Sequence, residues 1–345
     1  MRQLYRRPEA AVRYRDWGDR CRRWRGIRSE TLRVAGRRVH LLRADPGPDA
    51  PAGAPTQLLL HGLAGSGTAW LDVIAPLTRL GPVIAPDLPG SVFGETETRR
   101  ARQARLPATV AFLPPLTAAL GLGRLSVQGL SMGGLVGLQF AAAYPAIVER
   151  LVLVNPILPA PMSVPERLGW QTMGRLALAA GPAVARTLVR VWGRRLVDAK
   201  LRYLTDPGQL AAAGEQSGGD LTRISPESLA LAAEQTRELR DHPARLRYAV
   251  TAFASAAASM FVSRRRALAA IDQVAAPVLL VWGDQDRLVT RPVIDHAMAR
   301  RPDWRLHVLE SAGHTVPLEL PDAYVEAVRG WLSPPAPAGR SYDVD

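Results

Sequence analysis

Cysteine is almost absent from the sequence, where Cys21 is the only example. An intramolecular disulfide is therefore excluded, and the composition suits a reducing compartment, so we expect a cytoplasmic protein. No apolar segment follows the N-terminal arginines, so a cleaved signal peptide is not expected. The longest weakly polar run, residues 249–262, is too short to cross a bilayer.

Lysine is equally rare, because Lys200 is the only one in 345 residues. Positive charge is carried by arginine instead. Residues 1–43 contain 14 arginines and four acidic residues, which accounts for +10 of the net charge of +13. The rest of the chain is nearly neutral, so we expect no nucleic-acid partner. The six histidines do not cluster at ligand spacing, so no metal site is predicted, and no cofactor is implied.

The N-terminal arginines are interleaved with apolar residues at helical spacing. These residues are Ala10, Tyr14, Trp17, Cys21 and Trp24. The spacing predicts a basic amphipathic helix over residues 4–28, within an N-terminal extension of residues 1–30. Two roles are open for it. We favour packing on the body with a solvated arginine face, and the alternative is weak contact of residues 1–28 with an acidic membrane surface.

Short apolar runs that alternate with helical stretches make up most of the remaining chain. Residues 32–34 and 39–41 flank Ala35-Gly36 and predict a first hairpin. Further apolar runs predict strands at residues 57–60, 82–85, 125–128, 151–154, 278–282 and 306–309. Continuously apolar strands suit a parallel sheet that is covered on both faces. The predicted fold class is therefore α/β, with a doubly wound, mostly parallel sheet.

The strand pattern is interrupted by a long helical segment. Helices are predicted at residues 168–180, 183–196, 225–240 and 246–262. We therefore expect a helical insertion over residues 157–245 within a core of residues 31–156 and 246–333. Residues 334–345 are rich in proline and are predicted to form a disordered tail.

The strongest local motif is Gly129-Leu130-Ser131-Met132-Gly133. It follows a predicted strand and precedes a helical run, which is the context of a nucleophile elbow. The glycines allow a tight strand-to-helix turn, and the helix N-terminus favours developing negative charge. A structural serine in a glycine-rich turn is the alternative, but the flanking strand and helix favour Ser131 as a nucleophile.

A serine nucleophile needs a base, and His314 is the candidate. It follows the last predicted strand, so its loop should lie at the carboxyl edge of the sheet, as Ser131 does. The base in turn needs a carboxylate to orient it. Asp284 and Asp286 both follow the strand predicted at residues 278–282, in the chain order expected for such a site. Either fits, although Asp284 could instead cap its own turn.

The segment from His61 to Gly67 follows another predicted strand and contains three glycines. Such a segment lets the backbone approach a ligand closely, as an oxyanion hole requires. Leu63 and Met132 are the predicted donors of its two N–H groups. A phosphate-binding loop is the alternative, but the lysine-containing pattern of such loops is missing.

With these segments in this order, the chain resembles the α/β-hydrolase superfamily from about residue 32 to residue 332, apart from the helical insertion. The resemblance implies that Ser131, Asp286 and His314 form a catalytic triad. It also implies that the insertion is a lid or cap over the site.

One segment departs from the pattern of this superfamily. Residues 83–90 are similar to its D-x-P-G segment, which usually continues as G-H-G-x-S. Here the continuation is Ser91-Val92-Phe93-Gly94. We therefore expect a changed loop near the pocket.

Serine as nucleophile implies attack on a carbonyl carbon and an acyl-enzyme, unlike the aspartate nucleophile of haloalkane dehalogenases and epoxide hydrolases of this fold. A small or medium apolar carboxylic ester is the expected substrate, because Trp170, Met173 and Trp192 lie in the predicted cap and suit an apolar pocket. An ordinary helical core is the alternative interpretation of these side chains. The same triad serves carbon–carbon bond hydrolases, thioesterases, amidases and cofactor-free perhydrolases. A non-catalytic small-molecule binding protein is a further alternative.

Overall fold

An eight-stranded sheet forms the centre of the computed structural model, which describes residues 16–332. The strands are β1 (Arg28–Val34), β2 (Arg37–Ala44), β3 (Thr56–Leu60), β4 (Val83–Pro86), β5 (Leu125–Leu130), β6 (Val148–Val154), β7 (Val278–Gly283) and β8 (Arg305–Leu309). Their order across the sheet is β1-β2-β4-β3-β5-β6-β7-β8. The β1–β2 and β2–β4 pairs are antiparallel, and the other five pairs are parallel. The predicted hairpin and mostly parallel sheet are confirmed.

The chain reverses its direction across the sheet between β3 and β5. Strand β4 lies on one side of β3, and β5 to β8 follow one another on the other side. In open α/β sheets a crevice forms at such a reversal, beyond the carboxyl ends of the strands. The segment from His61 to Gly67 leaves β3 at this point, and Ser131 leaves β5. The topology therefore brings two of the predicted functional segments to one edge.

Both faces of the sheet are buried. In β3, Leu58 and Leu60 belong to one apolar cluster, and Leu59 belongs to the other. Strand β6 shows the same alternation, with Leu153 on the first face and Val154 on the second. Successive side chains of a strand point to opposite faces, so a continuous apolar run indicates a sheet that is covered twice.

Helices cover the sheet and fill the segment between β6 and β7. Before this segment lie α1 (Leu71–Leu77), α2 (Leu106–Val110), α3 (Leu113–Leu120) and α4 (Met132–Ala143). Within it lie α5 (Val164–Gly169), α6 (Arg175–Thr205), α7 (Pro207–Ser217), α8 (Pro226–Asp241), α9 (Leu246–Ala257) and α10 (Arg265–Gln273). After it lie α11 (Arg291–Arg300), α12 (Val316–Glu319) and α13 (Pro321–Leu332). Among residues 16–332, no single helix is long and apolar enough to cross a bilayer, although the bent pair Pro243–Val262 and Arg265–Gln273 meets that test when taken together.

Helix α6 is longer than predicted. The sequence predicted two helices, at residues 168–180 and 183–196. The structure has one helix that continues through Pro182 to Thr205. Proline has no N–H and removes one helical hydrogen bond, but the residues on both sides keep their helical conformation. The predicted separation into two helices was therefore wrong.

The predicted N-terminal helix is also wrong where the structure describes it. Residues 16–27 form two short 3-10 turns, Trp17–Asp19 and Arg22–Trp24. Trp17 and Trp24 are 2% and 0% exposed and belong to the apolar cluster that also contains residues of α1 and α13. Burial of two indole rings stabilises this arrangement more than the helical periodicity of the segment could.

Arginines of the same segment pair with carboxylates of the body. Arg20 makes two hydrogen bonds to Glu234 of α8, and Arg23 forms an ion pair with Asp322 of α13. The part of the predicted membrane-contact segment that the structure describes is therefore packed within the protein. Residues 1–15 and the predicted tail at residues 334–345 lie outside the described residues.

Truncation of Trp24 tests this assignment. The Trp24→Ala variant loses a buried indole and leaves the Asp72 carboxylate without the indole N–H that it accepts at 2.8 Å. We expect the free energy of unfolding, measured with urea, to fall by about 3–5 kcal/mol. Arg22→Ala, at an exposed position of the same turn, should change it by less than about 0.5 kcal/mol. Equal effects of the two substitutions would contradict a core role for this segment.

Candidate active site

Ser131 occupies the strained turn between β5 and α4. Its backbone has φ 54° and ψ −116°, a conformation that costs a residue other than glycine about 1–3 kcal/mol. Two glycines make the turn possible. A Cβ on Gly133 would lie 2.1 Å from the carbonyl oxygen of Leu60, and one on Gly129 would lie 2.4 Å from the carbonyl oxygen of Gly133. The motif therefore adopts the tight turn that its sequence predicts.

The predicted base meets one of the two candidate acids. Nδ1 of His314 lies 2.8 Å from Oδ2 of Asp286. The other oxygen of this carboxylate accepts the backbone N–H groups of Leu288 and Val289, at 2.8 and 3.0 Å. The Asp286 side chain is completely buried, whereas Asp284 is exposed. The structure thus places Asp286 against His314, and not Asp284.

The backbone of Ser131 is tied to the end of β6. Its N–H donates to the carbonyl of Val154 at 2.9 Å, and its carbonyl accepts the N–H of Ile157 at 3.2 Å. Its hydroxyl forms no hydrogen bond with any residue between 16 and 332, His314 included. Hydrogen bonds of catalytic groups are often absent without substrate and form in the substrate complex. The hydroxyl is therefore available to an incoming substrate.

Asn155 is the only asparagine of the chain, and sequence reasoning missed it. It is fully buried directly after β6, with φ 41°. Its Nδ2 donates to the carbonyls of Gly313 and His314 at 2.8 and 2.9 Å, and its Oδ1 accepts the N–H of Gly283 at 3.0 Å. One amide therefore joins the strand end that supports Ser131 to the loops of the acid and the base. A polar residue at the end of an apolar strand was the signal that could have found it.

Glu319 holds the histidine loop from the other side and was also missed. It is 2% exposed. One carboxylate oxygen accepts the N–H of Gly313 at 2.9 Å, and the other accepts the N–H and the hydroxyl of Thr315, both at 2.9 Å. Both neighbours of His314 are thus fixed. No pattern in the sequence pointed to this residue, because most of its partners are backbone groups.

The two predicted oxyanion donors keep their hydrogen-bonding capacity. The backbone N–H groups of Leu63 and Met132 donate to no acceptor in the part of the chain that the structure describes. The backbone of the segment from His61 to Gly67 passes close to Ser131 at Gly62, where an added Cβ would lie 3.4 Å from Cβ of Ser131. The arrangement leaves two N–H groups for a ligand oxygen, as an oxyanion hole requires.

His61 serves as a support rather than as a second base. Its Nε2 accepts the N–H of Leu88 at 2.9 Å, and its Nδ1 donates to the carbonyl of Gly62 at 2.7 Å. Burial lowers the pKa of His61, so the ring stays neutral, as this pair of hydrogen bonds requires.

Asp87 holds the C-terminal end of the segment from His61 to Gly67. Its carboxylate accepts the N–H groups of Gly67 and Glu95 at 2.8 and 2.7 Å and lies 2.7 Å from Nδ1 of His40. Burial alone would raise the pKa of Asp87, but the charge and hydrogen bond of His40, with the two N–H groups, hold it below its usual range. Across residues 16–332, no group of three or more His, Cys, Asp or Glu side chains could hold a metal ion.

The helical insertion touches the loops of the acid and the base through Gly218 and Gly219, whose φ angles are 82° and 90°. A Cβ on Gly218 would lie 1.7 Å from the carbonyl oxygen of Gln285, and one on Gly219 would lie 2.4 Å from Cα of Gly313. Only glycine fits such a close approach. The insertion is therefore packed against both loops at this turn.

The side chains that suggested an apolar pocket in the cap lie elsewhere. Met173 and Trp192 are 70% and 53% exposed, and Trp170 stacks on Phe261 with ring centroids 4.6 Å apart. That part of the prediction is wrong. We call residues 61–67 the oxyanion segment. The insertion contacts this segment through an apolar cluster of Val92, Val197 and Leu239, against which Ala64 and Phe93 pack.

The Asn155→Asp variant tests whether the hydrogen bonds of the Asn155 side chain position the loop of His314. The substituted carboxylate would face two carbonyl oxygens in place of an N–H donor, so the loop of His314 should shift. We expect kcat for a soluble ester to fall by about 10²-fold with KM nearly unchanged, since small misplacements of catalytic groups have effects of this size. Val278→Ala, a core truncation at the start of β7, should lower stability by about 1–3 kcal/mol and leave kcat intact. A comparable loss of kcat in both variants would mean that Asn155 acts only through stability.

Acid unfolding tests the anchor at Asp87. Its pKa is lower in the folded protein, so the stability that it contributes is complete above the usual carboxyl pKa of about 3.9 and is lost as the pH falls through the folded value. We expect Asp87→Asn to be about 3–5 kcal/mol less stable than wild type at pH 7, and this gap should narrow below about pH 4. Urea unfolding over this range measures it, with the exposed Asp284→Asn as control. A gap that stays constant would contradict the account.

Comparisons with known proteins agree with this architecture. The profile of the family described as alpha/beta hydrolase fold matches residues 55–321. RutD of Cronobacter turicensis, whose name describes a candidate carbamate hydrolase, is 26% identical over 297 residues, which are 84% of this chain and 96% of that protein.

Two solved structures show the same fold at low sequence identity. The epoxide hydrolase CorEH superposes with a TM-score of 0.65 at 22% identity, covering 88% of this chain and 98% of its own. The 2-hydroxy-6-oxo-6-phenylhexa-2,4-dienoate hydrolase of Rhodococcus sp. strain RHA1 superposes with a TM-score of 0.62 at 20% identity, covering 88% and 99%. Because the family profile covers well over half of the chain, the protein belongs to the α/β-hydrolase family.

Proposed function

We propose that the protein is a serine hydrolase that cleaves a small or medium apolar carboxylic ester through an acyl-enzyme on Ser131. The observation that carries the proposal is the hydrogen bond between the buried Asp286 carboxylate and His314, at the sheet edge where Ser131 lies on its strained turn. The unused N–H groups of Leu63 and Met132 support it, because acyl transfer needs donors for a developing negative oxygen.

The geometry assigns a role to each group in this proposal. His314 donates from Nδ1 to Asp286, so its Nε2 can accept the proton of the Ser131 hydroxyl. The serine oxygen then attacks the carbonyl carbon, and the resulting oxyanion accepts the two backbone N–H groups. His314 next passes the proton to the leaving alcohol, and water repeats the sequence to release the acid.

The apolar character of the substrate rests on the side chains beside the oxyanion segment. Val92, Val197 and Leu239 form a buried apolar cluster with which Ala64 and Phe93 are in contact. Ala64 follows the proposed donor Leu63 directly, so an acyl chain that leaves the reaction centre on this side meets apolar groups.

The same groups could serve related carbonyl reactions. Carbon–carbon bond hydrolysis, thioester hydrolysis and cofactor-free perhydrolysis remain alternatives, as does carbamate hydrolysis in view of the similarity to RutD. A binding protein without activity is a further alternative from a different class. All the catalytic alternatives use Ser131, so a reagent that reacts with activated serines separates the two classes.

A chain-length series of p-nitrophenyl esters tests the proposal. We expect turnover by the wild type, and a loss in Ser131→Ala on the order of 10⁴-fold or more, because triad members act as a unit. Asp286→Asn should reduce kcat strongly, whereas Asp284→Asn, its exposed neighbour, should leave it nearly unchanged. The preferred chain length reports the size of the pocket.

Labelling by a fluorophosphonate separates the remaining outcomes. Labelling of the wild type but not of Ser131→Ala, without turnover of any ester, would contradict the ester substrate and keep the serine mechanism. Absence of both labelling and turnover would contradict the enzyme and favour a binding protein.

A further inference from the structure

One side of α6 exposes large apolar side chains to solvent. Leu176, Val184, Val191 and Trp192 are 65%, 59%, 68% and 53% exposed, and we call these four residues the cap docking face. At about 100° per residue, Leu176, Val184 and Val191 lie within about 80° of one another around the helix, and Trp192 borders them. Single exposed apolar residues are ordinary on protein surfaces, but a group of them on one helix indicates an interaction site.

The preceding turns of the insertion extend this apolar surface. Val164 and Leu168 of α5 are 58% and 56% exposed, and Met173 is 70% exposed. Of the large apolar side chains that are exposed in residues 16–332, most lie between residues 164 and 196. The exposure is therefore a property of this part of the insertion and not of the surface in general.

The opposite side of α6 faces a wide cleft that is lined with arginine. The cleft has a volume of about 1370 Å³ and lies between α6, α9 and α10. Its arginines are Arg105, Arg167, Arg175, Arg186, Arg264, Arg265 and Arg266, and no acidic side chain lines it. Two of the seven, Arg175 and Arg186, belong to α6, so this helix carries cations on the side opposite its exposed apolar side chains, as an interfacial helix does.

These arginines differ from many others in the described part of the chain. Arg20 and Arg301, for example, pair with carboxylates, whereas none of the seven forms an ion pair with a residue between 16 and 332. Arg264 shows the effect of having no carboxylate partner. Its Nε is buried without a hydrogen-bond partner, and burial, together with the charge of Arg167, lowers its pKa. The surroundings of the cleft therefore lack anions.

We propose that α6 is an interfacial helix through which the insertion binds the surface of an anionic phospholipid bilayer. The cap docking face enters the boundary between headgroups and acyl chains, where a tryptophan such as Trp192 is favoured. Arg194 and Arg195 follow Trp192 after Gly193 and are exposed, so cations border the apolar side chains. Basic residues near an anionic surface strengthen binding to it.

The charge of α6 argues for a lipid surface over a second copy of the chain. Of the six arginines of α6, Arg175 and Arg186 line the cleft, whereas Arg194 and Arg195 are exposed beside the cap docking face. Two copies joined through this face would bring these exposed cations together, whereas an anionic bilayer complements them. The proposal goes beyond the hydrolase function, and neither depends on the other.

Flotation of the full-length protein with vesicles tests the docking. We expect binding to vesicles of equal parts phosphatidylglycerol and phosphatidylcholine, and little binding to phosphatidylcholine alone. Raising the salt from about 0.05 to 0.5 M should weaken the binding, because surface charges are screened. Equal binding to both vesicle types would overturn the proposal.

A matched pair of substitutions tests the face itself. Val191→Glu places a charge in the cap docking face, and Val308→Glu places one on an exposed apolar residue of β8. The first should reduce vesicle binding on the order of tenfold or more, and the second should leave it unchanged. Turnover of a soluble ester, followed in both variants, should stay at the wild-type level. If the proposed function is wrong, ester turnover is absent from the wild type and from both variants, whereas the effects on vesicle binding remain.

Two outcomes would assign the face differently. If light scattering without lipid shows a dimer that Val191→Glu dissociates, the occupant is a second copy and the proposal is overturned. If Val191→Glu binds vesicles as the wild type does, while deletion of residues 1–15 abolishes binding, the N-terminal arginines are responsible and the proposal is again overturned.

Discussion

A single buried amide holds the three loops of the candidate site together. The side chain of Asn155 donates to two carbonyls of the loop that carries His314 and accepts the N–H at the end of β7, where the loop of Asp286 begins. Its neighbour Val154 accepts the N–H of Ser131. Each such hydrogen bond contributes only about 1 kcal/mol net, but a buried polar group left without its partner costs more. The relative placement of Ser131, His314 and Asp286 therefore depends on the hydrogen bonds of Asn155.

The other supports of the site follow the same principle. Glu319 fixes both neighbours of His314, and Asp87 fixes the end of the oxyanion segment, each through a buried carboxylate that accepts backbone N–H groups. Such groups are immobile and excluded from water, so the loops keep their geometry without substrate. A charge that develops in a reaction at this site would be stabilised by groups already in place, so the protein would not need to reorganise around it. The strain at Ser131 can persist because the surrounding backbone is held in this way.

Most of the sheet could be predicted from the sequence, as could the turn at Ser131 that follows β5, because both depend on local patterns. Continuous apolar runs indicate strands buried on two faces, and the glycines around Ser131 indicate a turn that no other residue tolerates. The choice between Asp284 and Asp286 could not be made from the turn itself, since only burial and the contact with His314 separate them.

Other features depend on distant contacts, which a local pattern does not contain. The partners of Asn155 are backbone groups more than 100 residues away, so its role was not visible in the sequence. Trp17 and Trp24 show helical spacing, yet their burial against the body decides the local structure. Met173, in the turn before α6, and Trp192, on α6, look like pocket residues by composition, but both are mostly exposed to solvent.

The most direct test of the account is mass spectrometry of the protein quenched milliseconds after mixing with a p-nitrophenyl ester. The account predicts a transient mass increase equal to the acyl group, located by peptide mapping on Ser131 and absent from Ser131→Ala. Turnover without any acyl adduct, or with an adduct on another residue, would contradict it.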